Sequence, residues 1–483
     1  LEALARRARA GTVVAGAFYA DGDTVLRFSA QIVDVLHHNV VWVIPPVVVP
    51  VGSEVRALEE LTQRATGAVA ALLDPRFSSW FHSATAPPRF DAFQEFVRGV
   101  DLQIRTDAKR ALVHYNRAIM LDSTFTWARM QAAVAHMNEF QNAIADSIMD
   151  VVDRMRDRVT PLQRHWLDWM LATRKEDWVE AYRAMQKAAT LAPERFLYSL
   201  GNDASSINRP RASLAALQKL GPESPYIGGS IMYWDIVTGS LHQLGKYHEE
   251  LAAAKKAQRF HPDRIAAMGF EIRALAALKR VPALLSRLEA VVVFTREAAR
   301  NVDQPDLIGI TPASIMINAA RELRAHENEK AALAALEQAI DWHRARPAEE
   351  ARRPERRTEL GNALYLARQW DAARLVFQQL TTEDPDNLIC IGFLGAIAAR
   401  RHDRGTAQRM MAILEERKRS QPRPNMQASY WQAKIAAVLE DRKSAVQHLV
   451  DLLGEPGRYV HADLDLELLA GYPPFEELRK PKD

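Results

Sequence analysis

The residues from which chemistry could be built are fourteen histidines, one cysteine and a full complement of acidic and basic groups. A zinc helix needs two imidazoles on one face, three or four residues apart, with an open position for water. His136-Met137-Asn138-Glu139 has no second histidine four residues on. His37-His38 falls at the end of a strand-like run. His242, His248 and His261 lie close together in sequence. The six-residue step from His242 to His248 leaves one helical face, however, and Gly245-Lys246 reads as a turn between them. These are expected to be solvated turn histidines, and no metal site is assigned. Cys390 has no partner for an intrachain disulfide and reads as a small core residue. The glycine-rich phosphate loops and the nucleophile elbow Gly-x-Ser-x-Gly are absent, as are the kinase lysine strand and catalytic loop. The chain is therefore expected to be no enzyme and to need no cofactor.

The elements that would carry any site are written in a repeat. Leu360-Gly361 recurs as Leu394-Gly395, 34 residues later. Ala373 recurs as Ala407, Phe377 as Met411 and Leu380 as Leu414, and Pro385 closes the first unit. Two helices joined by a short turn approach closely only where side chains are small, with bulky residues filling either side. Proline then ends the second helix. A period of this length is that of a helix–turn–helix repeat.

These landmarks resemble the tetratricopeptide repeat (TPR), most fully over 354–387. A second good match is Trp234, Val237, Leu241, Ala254, Ala257 and Pro262; a third is Trp169, Ala181, Met185, Ala188 and Pro193; and a fourth is Ala111, Tyr115 and Ala118 running into Leu121-Asp122-Ser123. Read in this register, the chain holds about ten helix pairs. Their close-packing residues on the second helix are Ala111, Ala143, Ala181, Ala212, Glu250, Ala283, Ala332, Ala373, Ala407 and Ala445. Glu250 breaks the pattern. The spacing drifts between 31 and 49 residues, and the widest gap holds an irregular connection from Arg300 to Pro312. Trp127, Trp234 and Trp431 take the large-residue position of the first helix. The fold expected is mainly α, a TPR-type α-solenoid preceded by a small α/β domain.

Charge narrows the partners. Sixty-three basic and sixty acidic residues leave a net charge of only +3, without the basic face that nucleic-acid binding requires. The run Arg344–Arg357 carries two prolines and reads as a solvated loop between repeats. No stretch of 18 apolar residues occurs, so no membrane-spanning helix is expected. The chain begins at Leu1 inside a helix-like segment, Leu1–Ala10, and so reads as a piece of something longer.

Residues 11–51 change character. Gly11–Ala20 is strand-like, Asp21-Gly22-Asp23 a turn, and Thr24–Val35 a second strand with Leu26, Phe28, Ala30 and Ile32 alternating. A third strand is expected at Val40–Ile44, and Ser53–Leu73 returns to helical period. The segments Leu4–Ala10, Gly11–Gly16, Asp21–Phe28 and Gln31–Asp34 resemble the second half of the TolB amino-terminal-like domain, a module related to the flagellar protein FlgO. That resemblance implies a bacterial chain. It further implies the C-terminal region of a receptor-type serine/threonine kinase or membrane-tethered regulator, on the periplasmic or extracytoplasmic side, although a cytoplasmic location stays open. Val40–Val51, with three prolines, departs from the module. It is either an edge strand and loop, or an apolar contact for a partner or membrane surface through Trp42, Val47 and Val49.

The domains expected are thus 1–80, the partial α/β module; 90–460, the repeats; and 461–483, a capping segment that includes Asp463-Leu464-Asp465-Leu466. The function expected is a protein–protein interaction scaffold, a subunit or docking arm of a larger assembly. A sensory or regulatory arm of a receptor kinase or transcription regulator, and an accessory subunit of a membrane complex, are the alternatives. Partner contacts are expected at exposed polar positions of the first helices, Asn318, Asn362, Tyr365 and Arg368.

Overall fold

In the computed structural model, residues 5, 7–35, 37–77, 86–105, 107–224, 230–298, 310–420, 426–453 and 460–483 are described. The expected Leu1–Ala10 helix and the Arg300–Pro312 connection lie largely outside them. The chain divides into two compact units. One comprises Leu1–Arg174, Glu180–Leu197 and Glu223–Ser230; the other comprises Lys175–Val179, Tyr198–Pro222 and Ile231–Asp483.

The first unit opens with an antiparallel sheet in the order β1 (Thr12–Asp21), β2 (Val25–Asp34), β3 (Asn39–Pro50). Its register pairs Phe18 with Phe28 and Ile32 with Trp42. β3 is longer than the expected strand because a bulge opposite Phe28–Ala30 takes up Pro45-Pro46. Prolines are tolerated there, on an edge strand. Phe28, Ala30, Ile32, Trp42, Ile44 and Val49 are buried on one face, towards helix α1 (Glu54–Leu73). The opposite face leaves Tyr19, Val43 and Val48 exposed.

Among the described residues, ten helical hairpins follow. They are α2 (Phe90–Ile104) with α3 (Ala108–Leu121), α4 (Thr126–Asn138) with α5 (Asn142–Asp153), and α6 (Pro161–Arg174) with α7 (Trp178–Leu191). Next come α8 (Pro193–Ser206) with α9 (Pro210–Leu220), α10 (Met232–Gln243) with α11 (Tyr247–Phe260), and α12 (Ile265–Ala277) with α13 (Val281–Ala298). The last four are α14 (Pro312–Ala325) with α15 (Glu329–Arg344), α16 (Pro354–Leu366) with α17 (Trp370–Glu383), α18 (Leu388–Arg400) with α19 (Arg404–Ser420), and α20 (Met426–Val438) with α21 (Arg442–Leu453). Between Arg344 and α16 lies a single helical turn, Ala348–Ala351, so the basic run is partly helical and not a plain loop. A final helix, α22 (Pro473–Arg479), ends the chain.

One turn geometry recurs inside these hairpins. A residue in the left-handed region separates the two helices: Phe140, Glu176, Asn208, Gly245, Lys279, Glu327, Arg368, His402 and Glu440. The residue after it sends its N–H back five residues, as in Asp403 to the Ala398 carbonyl and Asp441 to the Ala436 carbonyl, both 2.9 Å. This is the hydrogen-bond pattern of a Schellman C-cap, normally built on glycine. Here Gly245 alone in that series is glycine.

The close-packing register holds at Ala111, Ala181, Glu250, Ala332, Ala373, Ala407 and Ala445, all buried. It slips at three helices. Ala143 and Ala283 are exposed and Ala212 half-buried, while Ala145, Leu284 and Ser213 hold the buried positions instead. In each of these helices a small or apolar residue one or two positions on offers a second phase by sequence, and packing selects it.

Aromatic residues fill each unit. In the first, Phe96 lies 5.0 Å from Phe125 and 5.5 Å from Phe77, and Trp127 lies 5.4 Å from Trp166. Asp122 is buried at the end of α3, where Arg64 of α1 meets it at 2.5 Å. In the second, Phe377 and Phe393 stack at 4.2 Å and Trp431 packs 4.5 Å from Phe393. Glycines let these rings in: a Cβ on Gly361 would stand 2.6 Å from Phe377, and one on Gly392 2.1 Å from Trp431. Cys390 is buried in the same core, where burial pushes its thiol up to about 11. That is the inert behaviour of a core cysteine.

Candidate binding groove

The first helices of the last four hairpins of the second unit turn polar side chains towards one segment of the same chain, Val460–Leu469, in which short 3-10 turns at Val460–Ala462 and Leu466–Leu469 flank Asp463 and Asp465. Arg321 comes from α14, Tyr365 from α16, Arg400 from α18, and Tyr430 and Lys434 from α20. The segment answers with Asp463 and Asp465, both buried.

Asp465 is held by three groups. The Tyr365 hydroxyl donates to Oδ1 at 2.6 Å, Arg400 donates to the same atom through Nη2 at 2.8 Å, and Lys434 Nζ lies 3.3 Å from Oδ2. Asp463 Oδ2 accepts from Tyr430 at 2.7 Å and lies 3.1 Å from Lys434 Nζ. Its Oδ1 accepts from the Asp465 and Leu466 amides at 2.9 and 3.3 Å, which starts the tight turn Leu466–Leu469. Arg400 also donates to the Leu464 carbonyl at 3.1 Å, so backbone and side chain are both read.

The Lys434 ammonium is itself boxed. It sits 4.2 Å from the Trp431 ring centroid, 5.5 Å from Tyr430, 5.8 Å from Phe393 and 6.0 Å from Tyr365. Ring faces attract a desolvated cation. Burial works against the charge on Asp463, yet Lys434, Arg321 of α14 and the Tyr430 hydroxyl hold its carboxyl well below the usual range. Burial pushes the Tyr365 and Tyr430 phenols well above their ordinary value, so both remain donors.

Apolar residues of the segment complete the contact. Leu464 joins the main core. Leu466, Leu469 and Phe475 cover Ala433, Ala437, Ala445 and Leu449 on the last hairpin. Further on, the buried Asn208 amide donates to the Lys480 carbonyl at 2.8 Å, and Asp483 accepts from the Ala212 amide at 2.6 Å, where it caps α9. Leu466, Leu469 and Phe475 thus pack on the last hairpin, while Val460–Leu469 lines the polar side of four hairpins.

The sequence-based contact residues land unevenly. Tyr365 belongs to the groove, but it is buried under Asp465 and not exposed as expected. Asn318 is exposed on α14, and Asn362 is half-buried with its amide oxygen 3.4 Å from Arg321. Arg368 is the left-handed turn residue after α16 and pairs with Glu329 at 3.2 Å, so it lies on a hairpin turn and not on a helix face. Trp42 and Val49 are buried beneath the sheet and Val47 is half-buried, which removes them as a docking surface. Alternation along an edge strand puts every second residue inwards, and these are the inward set.

Lys434, Arg400 and Tyr430 carry no expectation from the sequence, and Asp463 and Asp465 are expected only as part of a capping segment. A signal existed: Tyr365, Arg400 and Lys434 follow one another at 35 and 34 residues, the repeat period. Helix α18 in particular is nearly all apolar, so Arg400 at its end stands out.

No family model and no curated relative matches the chain. Solved structures give distant likenesses. A tetratricopeptide repeat protein from Parabacteroides merdae is 12% identical, with a TM-score of 0.30, over 66% of this chain and 97% of that one. The apo form of RapI is 8% identical, with a TM-score of 0.39, over 77% and 97%. A Rap protein complexed with competence and sporulation factor is 11% identical, with a TM-score of 0.42, over 75% and 96%. These values are low, and the architecture stands on the hairpins themselves: the chain is a mainly α protein of TPR-type helical hairpins with a small three-stranded sheet before them.

Proposed function

We propose that this protein is an interaction scaffold whose second unit receives an acidic, turn-forming segment of a partner, and that Val460–Leu469 holds the place of that segment in cis. The observation that carries the reading is the pair of buried carboxylates, Asp463 and Asp465, met by cations and hydroxyls from three different helices. Such a constellation recognises two carboxylates one residue apart, followed by leucine.

The energetics favour exchange over simple opening. Lys434 is buried in its aromatic box and loses both counter-charges if the segment leaves. Removing one partner of a buried ion pair costs about 3–5 kcal/mol. A partner that brings its own Asp-x-Asp-Leu offsets that cost, whereas a neutral or basic peptide does not. The tethered segment competes at an effective concentration on the order of millimolar.

The test uses a labelled peptide spanning Val460–Ala470 and fluorescence anisotropy. The unaltered chain should bind it weakly. The D463N/D465N chain, whose own segment is weakened, should bind it at least about tenfold more tightly (~1.4 kcal/mol). Adding K434M, a substitution the aromatic box can accept, should remove that gain. Equal binding with and without Lys434 would end the proposal.

A further inference from the structure

Away from the groove, the second unit brings together residues that sequence spacing kept apart. His242 closes α10, Glu250 lies on α11, Arg273 on α12, and Glu322 on α14, with His326 just past its end. His242, Glu250 and Glu322 are buried. The His242 Nδ1 lies 2.7 Å from Glu250 Oε2, and Arg273 Nε donates to the other oxygen of that carboxylate at 2.7 Å. The opposite ring nitrogen, Nε2, faces Glu322 Oε2 at 3.1 Å. Glu322 and His326 share one helical face at i, i+4, and His326 Nε2 lies 3.8 Å from the same Glu322 oxygen. Tyr247 covers both imidazoles, its ring 5.1 Å from His242 and 5.2 Å from His326.

We propose that His242 Nε2, Glu322 and His326 Nε2 bind a first-row divalent transition ion, zinc foremost, with Glu250 as the carboxylate that orients His242. Three features of the geometry argue for it. The three donor atoms lie within 4.8 Å of one another, close enough to share one ion after small side-chain adjustments. Bonds to zinc from nitrogen and carboxylate oxygen are about 2.0–2.2 Å, which puts neighbouring donors roughly 3.3 Å apart in a tetrahedron. The His242–Glu322 separation already matches. Second, a carboxylate on Nδ1 is what fixes a metal-binding imidazole, since it holds the Nδ1 proton and aims the Nε2 lone pair. Here that carboxylate is itself anchored by Arg273, so its charge is balanced before any ion arrives. Third, two imidazoles and one carboxylate form a borderline donor set that suits zinc and its neighbours, not magnesium or calcium. Three protein donors leave a fourth place for water.

In the ion-free chain, a proton on Nε2 bridges His242 to Glu322, and the ion takes that proton's place. The ion would tie α10 to α14. His248 and His261, the other two histidines of that stretch, take no part; His248 is exposed and His261 is buried elsewhere.

The experiment is a titration of the chelator-stripped full chain with cobalt(II), read by its visible ligand-field absorption, followed by displacement with zinc. One cobalt per chain is expected, with the intense bands of a four- or five-coordinate site and stoichiometric displacement. H326A, at a partly exposed turn position, should weaken binding at least tenfold while leaving the circular dichroism unchanged. E250Q should weaken it about 10–100-fold through its hold on His242. E322Q, if it folds, should abolish it. The absence of stoichiometric uptake would overturn the assignment. So would uptake that H326A and E250Q leave unaltered, since the ion would then sit on other histidines, such as His37-His38.

Discussion

His402 shows how much one residue can be asked to tolerate for a turn. Its φ is 61°, in a region that costs a residue with a Cβ roughly 1–2 kcal/mol. It is exposed, and no side-chain role offsets the strain. His402→Gly should therefore stabilise the second unit by about 1 kcal/mol, less what glycine adds to the freedom of the unfolded chain. A rise in the urea midpoint with an unchanged slope would check it. The opposite holds at Gly392, where a methyl group would stand 2.1 Å from the Trp431 ring. That ring is buried and packed on Phe393, so it has nowhere to retreat. Gly392→Ala should cost about 1–3 kcal/mol by overpacking, measured by the same denaturation. Lys434→Ala should cost more, about 3–5 kcal/mol, because it leaves Asp463 and Asp465 buried with fewer counter-charges. If Lys434→Ala proves as mild as an exposed lysine substitution, the aromatic box is not where that charge resides.

At the scale of elements, the terminal segment depends on ionised carboxylates, and its pH dependence follows. Asp463 has a folded pKa well below its ordinary 3.8. A group depressed in this way contributes stability that is fully present above its unfolded pKa and lost as pH falls through the folded one. The contribution should thus be intact at pH 5 and above, and should fade below about pH 4. Hydrogen exchange at the Asp465 and Leu466 amides, which donate to Asp463, reports this directly. Their protection should drop in acid before that of the α16 and α18 amides. Simultaneous loss would mean that the segment has no separate opening. The hairpins offer a contrast. The core between them is Ala, Gly and aromatic packing, which carries no charge and does not titrate, although contacts such as His242–Glu322 also join them.

For the molecule as a whole, the expected division of labour is between units. Residues Val460–Asp483 touch the second unit from Asn208 and Ala212 to Leu449. A chain ending before Val460 should therefore melt at a lower temperature and bind an apolar dye that the full chain excludes. The dye reports on Ala433, Ala437 and Leu449, newly uncovered. An unchanged melting curve would show that the segment only decorates the unit. In the first unit, Asp122 is the corresponding anchor. It takes Arg64 Nη1 at 2.5 Å, the Arg89 amide at 3.2 Å and the Thr124 hydroxyl at 2.6 Å, and so fastens α1 to the end of α3.

The amino-acid sequence by itself determined the helical hairpin, its period and its small-residue crossings, because those depend on local size and on turn-forming residues repeated at short range. It also marked the N-terminal hairpin of strands through alternation and the Asp21-Gly22-Asp23 turn. It placed Leu360, Gly361, Ala373 and Phe377 in one packing unit, and the rings and gaps around Gly361 bear that out. Tertiary structure alone decided what the polar first-helix residues face. Tyr365 and Asp465 are 100 residues apart, and His242 and Glu322 are 80 apart. Neither pairing has a local signature, because a side chain's partner depends on how far each hairpin turns against the next. Only that accumulated rotation brings a terminal Asp-Leu-Asp-Leu back across four helices, and only it turns a supposed turn histidine into the centre of a buried cluster.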